Sequence, residues 1–481
     1  MGDVYANAAC TIAATAARNS SEGLFFERIP QLHVPRVLEF NFDEKADWLK
    51  EKVSGFPLVG NYLCDVHYLA QSCVERAPLS KRAWVCQERQ LSRRILHFTS
   101  TQLFWECQEC MACETYPDNL PPWAQAFWRW DATSLKNRVC KIMHQNKDDL
   151  SDSSNPWLSA KALDKATYFE WLTFRDQYAS CVLTHPADKL VAINGIARWI
   201  SRATGDELVA GLWLGHIIEE LCWRRIKEKS RRREEQLYWH RENLVSQTKI
   251  WRAPTWSWAC QDDGINRSLL TKFHMNHETR HAEAELVEIK VEAKTSGGLE
   301  RASMSIRSRP LQATFTAWAG HEIPLRDDTR CFGTLRLVDS REEHPGVLQE
   351  FSGPDMEFHL DRQDTYLGTG QPDPQYGYIV VLQQCVHGQH SKADRKTGAS
   401  ENQGGEINGK EEKADGKESV EAIENPKISW VESDSAEALF LQTRDNITFE
   451  RAGLIQFGGS NAVGRILEAH YIAEERVITL V

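Results

Sequence analysis

An α+β fold, with a helical middle and a β-rich carboxy-terminal part, is predicted for this 481-residue chain by three observations. Apolar residues recur at helical spacing across 164–179 and 187–202, where Leu190, Ile193, Ala197 and Ile200 share one stripe. Beyond Trp258 the apolar segments shorten and become rich in branched residues, at 284–291, 311–318, 333–338 and 378–386, which favours strands. The stretch 388–425 is nearly free of aromatics and dominated by Lys, Glu, Gly, Ser and Asp. It cannot bury enough surface to offset its ordering entropy, so a disordered insert within the β region is expected there.

Taken in chain order, residues 1–25 read as a helix followed by a short apolar strand, and 26–77 as a mixed connecting region containing Pro30, Pro35 and Pro57. Residues 82–91 form a predicted helix with Trp84, Glu88 and Leu91 on one stripe. Two strands follow at 95–98 and 103–106, rich in aromatic and branched residues and joined by the polar tip 99–102. The indole-dense run WAQAFWRW at 123–130 is expected to pack under a loop. Residues 211–225 should continue the helical mode, with Leu214, Ile217, Ile218 and Leu221 on one face and Glu219 and Glu220 on the other. The basic run RRIKEKSRRR at 224–233 is interrupted by Glu228 and followed by Glu234 and Glu235, which predicts a solvated helix end. Strands resume at Ile428 and Ala438. The expected division is therefore 1–25, 26–77, 78–260 and 261–481.

Hydrophobic residues at 41% and charged residues at 26% are ordinary for a globular protein, whereas 17 Trp point to aromatic-rich packing. A net charge of -11 argues against nonspecific nucleic-acid binding, because neutralising phosphates needs a basic face. The 13 Cys are scattered and odd in number, with no secretory signal, as expected for free thiols in a reducing compartment. Asp3 stands where a signal peptide has a basic region, and Ala6 stands where myristoylation needs Ser or Thr. No apolar run approaches the roughly 20 residues needed to span a bilayer, so a cytoplasmic location is expected.

Two groups of residues invite a chemical reading. Cys107, Cys110 and Cys113 have C-x2-C-x2-C spacing, but Pro117 stands where a ferredoxin-type cluster has its fourth Cys. Zinc would need a remote ligand such as Cys86 or His97, and reduced structural thiols are preferred, so no cofactor is expected. Glu88, flanked by Trp84 at helical spacing and by Arg82 and Arg89, is either a functional acid or the hub of a buried salt-bridge network. The structural role is preferred, because arginine neighbours favour an ionised carboxylate, a poor general acid near neutral pH. The 16 His form no H-E-x-x-H, and neither G-x-S-x-G nor a phosphate loop occurs.

The run PLSKRAWVCQERQLSRRILHFTSTQLFWE at 78–106 resembles the block that follows the fungal heterokaryon-incompatibility (HET) domain. Its signature residues are Arg82, Trp84, Gln87, Glu88, Arg89, Leu96, Phe104, Trp105, Glu106 and Cys107, joined further on by Trp256, Ser257 and Trp258 of APTWSWA at 253–259. Residues 1–25, with Met-x-x-Val-Tyr and a Gly-Leu-Phe exit, are similar to the closing part of the HET domain. The segments DKLVAINGIA at 188–197, GLWLGHIIEELCWR at 211–224 and ERAGLI at 450–455 resemble further blocks of the same proteins. The family's opening Tyr-x-Ala-Leu-Ser-Tyr-x-Trp-Gly strand and later Asp-x-x-Cys-Ile segment do not occur, so the chain is expected to be truncated at its amino terminus, with 1–25 a remnant of a TIR-like α/β domain.

The resemblance implies a non-enzymatic protein of vegetative incompatibility, acting in self/non-self recognition and regulated cell death through protein partners. The alternatives it implies are a TIR-like NAD glycohydrolase toxin, for which Glu88 is the weak catalytic candidate, and an inactive truncated remnant.

Overall fold

The computed structural model describes residues 2–29, 36–41, 59–64, 71–120, 135–136, 165–226, 251–262, 264–266, 278–293, 298–317, 330–331, 333–338, 347–352, 356–361, 375–387, 433–443, 445 and 447–481. The expectations for 123–130, 227–233, 388–425 and Ile428 lie outside the described residues.

The amino-terminal part opens with helix α1 (Gly2–Asn7) and strand β1 (Thr11–Ala13). Strands β2 (Arg36–Asn41) and β3 (Val59–Cys64) follow and pair antiparallel. Helix α2 (Ala83–Leu91) then leads into β4 (Arg94–Phe98), β5 (Leu103–Cys107) and β6 (Met111–Cys113). Strand β1 joins this meander parallel to β4, giving a four-stranded sheet in the order β1-β4-β5-β6. Ile95 and His97 of β4 stand opposite Glu106 and Phe104 of β5, and all four are buried. One face of the hairpin is therefore closed off, as the alternation along each strand requires.

The middle contains α3 (Lys165–Ala179) and α4 (Val191–Thr204). Gly205 ends α4 with its backbone in the left-handed region, at φ 73°. Residues 211–225 are not the helix their periodicity predicts. The chain instead forms a tight hairpin of β7 (Leu208–Val209) and β8 (Leu212–Trp213), then the single helical turn α5 (Ile217–Glu220) and strand β9 (Arg224–Arg225). The hairpin turns through Ala210 and Gly211, both at positive φ, and Gly211 lies against the Trp258 indole, where an added Cβ would meet the ring at 3.0 Å. Arg224 and Arg225 pair with β10 (Ile265–Asn266) rather than ending a helix, and Arg224 is buried. Glu220, expected on the polar side, is fully buried. The apolar residues here pack around a turn, which mimics helical spacing over one window.

Among the described residues the carboxy-terminal part forms one twelve-stranded sheet. Its strands are β11 (Glu278–Ala282), β12 (Glu285–Ala293), β13 (Leu299–Ser308), β14 (Leu311–Ala317), β15 (Arg330–Cys331) and β16 (Gly333–Val338). After them come β17 (Val347–Ser352), β18 (Met356–Leu360), β19 (Gln375–His387), β20 (Ser433–Thr443), β21 (Thr448–Gly458) and, beyond helix α6 (Ser460–Ile472), β22 (Arg476–Leu480). The main order is β12-β13-β22-β21-β20-β19-β14-β16-β17, antiparallel except for the short β21–β22 contact.

Alternation along the central strands sorts side chains between two cores. Ile379, Val381, Ala438, Phe440, Ile455 and Phe457 face a core shared with α6, β14, β16 and β18. Val380, Leu382, Leu439, Leu441 and Leu454 face the other core, which also holds α3, α4 and five fully buried indoles, Trp171, Trp213, Trp223, Trp256 and Trp258. Strands covered on both sides read as near-continuous apolar runs, as YIVVL at 378–382 and ALFL at 438–441 do. The large sheet and the helical middle thus share a core. Among the described residues no helix is long and apolar enough to cross a membrane.

Candidate functional site

The densest buried charge in the signature region centres on Glu106, not Glu88. Strand β5 directs Glu106 inward beside His97, and α2 presents Arg89 to the same space. Arg89 Nε donates to Glu106 Oε2 at 2.7 Å, and His97 Nε2 lies 3.1 Å from the same oxygen. Lys136 Nζ donates to Oε1 at 2.6 Å. Both carboxylate oxygens are therefore engaged. Arg89 Nη1 reaches on to Glu75 at 2.8 Å, and Thr15 Oγ1 lies 3.0 Å from His97 Nδ1.

The electrostatics of this cluster fix its chemistry. Burial raises the Glu106 carboxyl, but Arg89 and Lys136 outweigh it and hold the group well below the usual carboxylate range. Burial lowers His97 against the pull of Glu106, leaving a neutral ring. A neutral ring beside an ionised carboxylate carries its proton on Nε2, so Nδ1 accepts from Thr15. Glu106 is thus a locked anion that organises strand, helix and amino-terminal segment. It has no proton to give near neutral pH.

Glu88 lies half-buried on α2, and Arg89 turns away from it. Arg82 is exposed and pairs through its backbone with Val182. The group that reaches Glu88 is the Tyr5 hydroxyl, pushed up to about 12 by partial burial and by Glu88. This joins α1 to α2, while Thr11 of β1 and Ser92 at the end of α2, whose hydroxyls lie 2.8 Å apart, tie β1 to the same helix.

Other polar side chains of α2 and of the tryptophan-rich segment also join distant segments. Gln87 Oε1 accepts from the Gly195 N–H at 2.9 Å, tying α2 to α4. Ser257 Oγ donates to the Ala210 carbonyl at 2.6 Å, and Trp258 Nε1 to the Gly211 carbonyl at 2.8 Å. Trp223 Nε1 donates to the Trp256 carbonyl at 3.0 Å. Buried Arg451 of β21 stacks 3.5 Å from the Trp223 ring centre, bonds Asp361 at 2.7 Å and donates to the Leu221 carbonyl at 2.5 Å. Phe104 is buried in a small apolar cluster, while Trp84, Leu96, Trp105 and Cys107 are half-buried. The network around Glu106 and Arg451 went unread in the sequence, although an isolated Arg within an apolar strand such as RAGLI is a usable signal.

The three cysteines of the C-x2-C-x2-C run do not converge. Cys107 and Cys110 have their sulfurs 3.7 Å apart, whereas Cys113 stands opposite Phe104 and is buried with Val74, Phe104 and Leu120. Among the described residues no group of three or more His, Cys, Asp or Glu is placed to hold a metal. Cys86 faces Cys181 instead, at 3.4 Å.

A surface cleft of about 540 Å³ adjoins this region, within the range of small-molecule pockets. Its walls include Ala16, Arg18, Glu22, Arg76, Ser100 and Thr101, next in chain to Thr15 and Glu75 of the charge network.

The family model described as heterokaryon incompatibility protein (HET) matches residues 1–88. The match thus spans α1, β1, β2, β3 and most of α2, and ends at Glu88. No curated protein and no solved structure matches the chain.

Proposed function

We propose that this chain is a HET-type protein of fungal vegetative incompatibility, acting in the cytoplasm in self/non-self recognition and regulated cell death through protein partners rather than by catalysis. The observation that carries the proposal is the HET match over residues 1–88. Support also comes from how that segment is built into the fold, through β1 beside β4 and through Tyr5, Thr15 and Gln87. The non-catalytic part rests on Glu106 being locked by two cations and on Glu88 being engaged by Tyr5.

The test is induced expression of the chain in a filamentous fungus, following viability and total NAD together, with Glu88→Ala as a parallel strain. Death with unchanged NAD in both strains is the expected result. Loss of NAD in the first strain but not in Glu88→Ala would establish a TIR-like NAD hydrolase instead. Full viability of both strains at confirmed expression would remove the cell-death role and favour an inactive remnant.

A further inference from the structure

Strand β5 runs out of the sheet into the turn 107–110, which brings two cysteines together. The Cys107 N–H donates to the Cys110 carbonyl at 3.0 Å, and the Cys110 N–H points back at Cys107 Sγ at 3.4 Å. The two sulfurs are 3.7 Å apart, and both residues are half-buried rather than sealed in the core. Successive residues of a strand face opposite sides, so Cys107 lies on the face away from Glu106, removed from that locked anion.

We propose that Cys107 and Cys110 form a redox-active dithiol that reduces hydroperoxides, with Cys107 as the attacking thiol and Cys110 as the resolving one. In the first step the Cys107 thiolate attacks one peroxide oxygen and the O–O bond breaks. With one proton taken up, hydrogen peroxide yields a sulfenic acid on Cys107 and one water. In the second step Cys110 attacks the sulfenic sulfur, its thiol proton leaves with the hydroxyl as a second water, and an S–S bond forms. The two thiols are oxidised by two electrons and the peroxide is reduced by two.

The surroundings divide the two roles. Partial burial raises the Cys107 thiol, but the N–H groups of Cys110 and Glu109, with the Cys110 thiol and the Trp105 indole, outweigh it and hold Cys107 below the ordinary thiol range. Burial and the neighbouring Cys107 raise Cys110, which stays protonated while Cys107 ionises. Closing 3.7 Å to an S–S length of about 2.05 Å falls to side-chain rotation within a turn already formed. The pair Cys86 and Cys181 lacks this division, because its mutual hydrogen bond and burial push Cys86 well up. The dithiol is independent of the recognition role proposed above.

The test uses the full chain, reduced and then exposed to substoichiometric hydrogen peroxide at pH 7, with alkylation and peptide mass spectrometry at timed points. The 107–110 disulfide should form faster than Cys10 is consumed, because Cys107 is held below the ordinary thiol range and a resolving thiol stands 3.7 Å from its sulfur. Cys10 is the exposed reference thiol. In Cys110→Ser, dimedone should label Cys107 as a persistent sulfenic acid, and in Cys107→Ser position 110 should stay unlabelled. Oxidation of Cys10 as fast as the pair in the unaltered chain overturns the proposal, and that arm requires no variant to fold.

Discussion

Glu106 and Glu220 are both fully buried, and both bond an arginine, yet their carboxyl groups are driven in opposite directions. Glu106 meets Arg89 and Lys136, with a donor on each oxygen, and is held well below its ordinary value. Glu220 meets Arg175, whose guanidinium also serves Asp176 at 3.0 Å, and its Oε1 has no hydrogen-bond partner among the described residues. Burial dominates there and pushes Glu220 up to about 7. A buried carboxylate is thus set by how many cations reach it and whether each of its oxygens meets a donor, not by burial alone.

The largest effect should come from Glu106→Gln, which keeps the shape but leaves buried Lys136 without this anion and Arg89 with Glu75 alone. A loss of about 3–5 kcal/mol in chemical denaturation at pH 7 is expected, and a loss below about 1 kcal/mol would contradict the locked-anion account.

Glu220 predicts the opposite pH dependence. Its folded value is raised above the unfolded 4.5 to about 7, so its stabilising contribution is complete below about 4.5 and is lost as pH rises through 7. The wild-type chain should gain on the order of 1–3 kcal/mol from this group between pH 8 and pH 5. Glu220→Gln should remove that slope in denaturation curves measured across the range. For Glu106 the sign reverses: its contribution is present above the unfolded 4.5 and is lost as pH falls through its depressed folded value.

The contact joining the two regions can be tested at Gly195, where a Cβ would stand 2.4 Å from Gln87 Oε1. Gly195→Ala alone should cost about 1–3 kcal/mol through overpacking. In a Gln87→Ala background the same change should instead stabilise by up to about 1 kcal/mol, the helix preference for Ala over Gly. A cost that persists in that background would show that Gln87 is not the obstacle.

Glu88 extends the comparison to a half-buried carboxylate held by a neutral donor. Tyr5→Phe removes that donor and should cost about 0.5–1.5 kcal/mol by thermal or chemical melting. No measurable change would remove the hydroxyl as a tie between α1 and α2.

The signature helix and hairpin are legible because their signals are local. The predicted helix at 82–91 and strands at 95–98 and 103–106 match α2, β4 and β5 to within one residue at each end. The run 211–225 fails for the complementary reason: its apolar residues answer to Trp258 and Arg451, which lie far along the chain and turn the segment into a hairpin and a single helical turn. Helix α6 also escaped notice, since Val463, Ile466 and Leu467 become an inward face only once the sheet lies beneath them.

Local pattern in the sequence determined the helix and hairpin of 82–107, the side-chain alternation of the central strands and the acidic balance of the chain. Tertiary structure decided which carboxylate is locked. Lys136 reaches Glu106 across 30 residues of chain, and Thr15 reaches His97 across 82. Charge acts through space and strengthens where water is excluded, so the partners of Glu106 are set by folding and not by spacing along the chain.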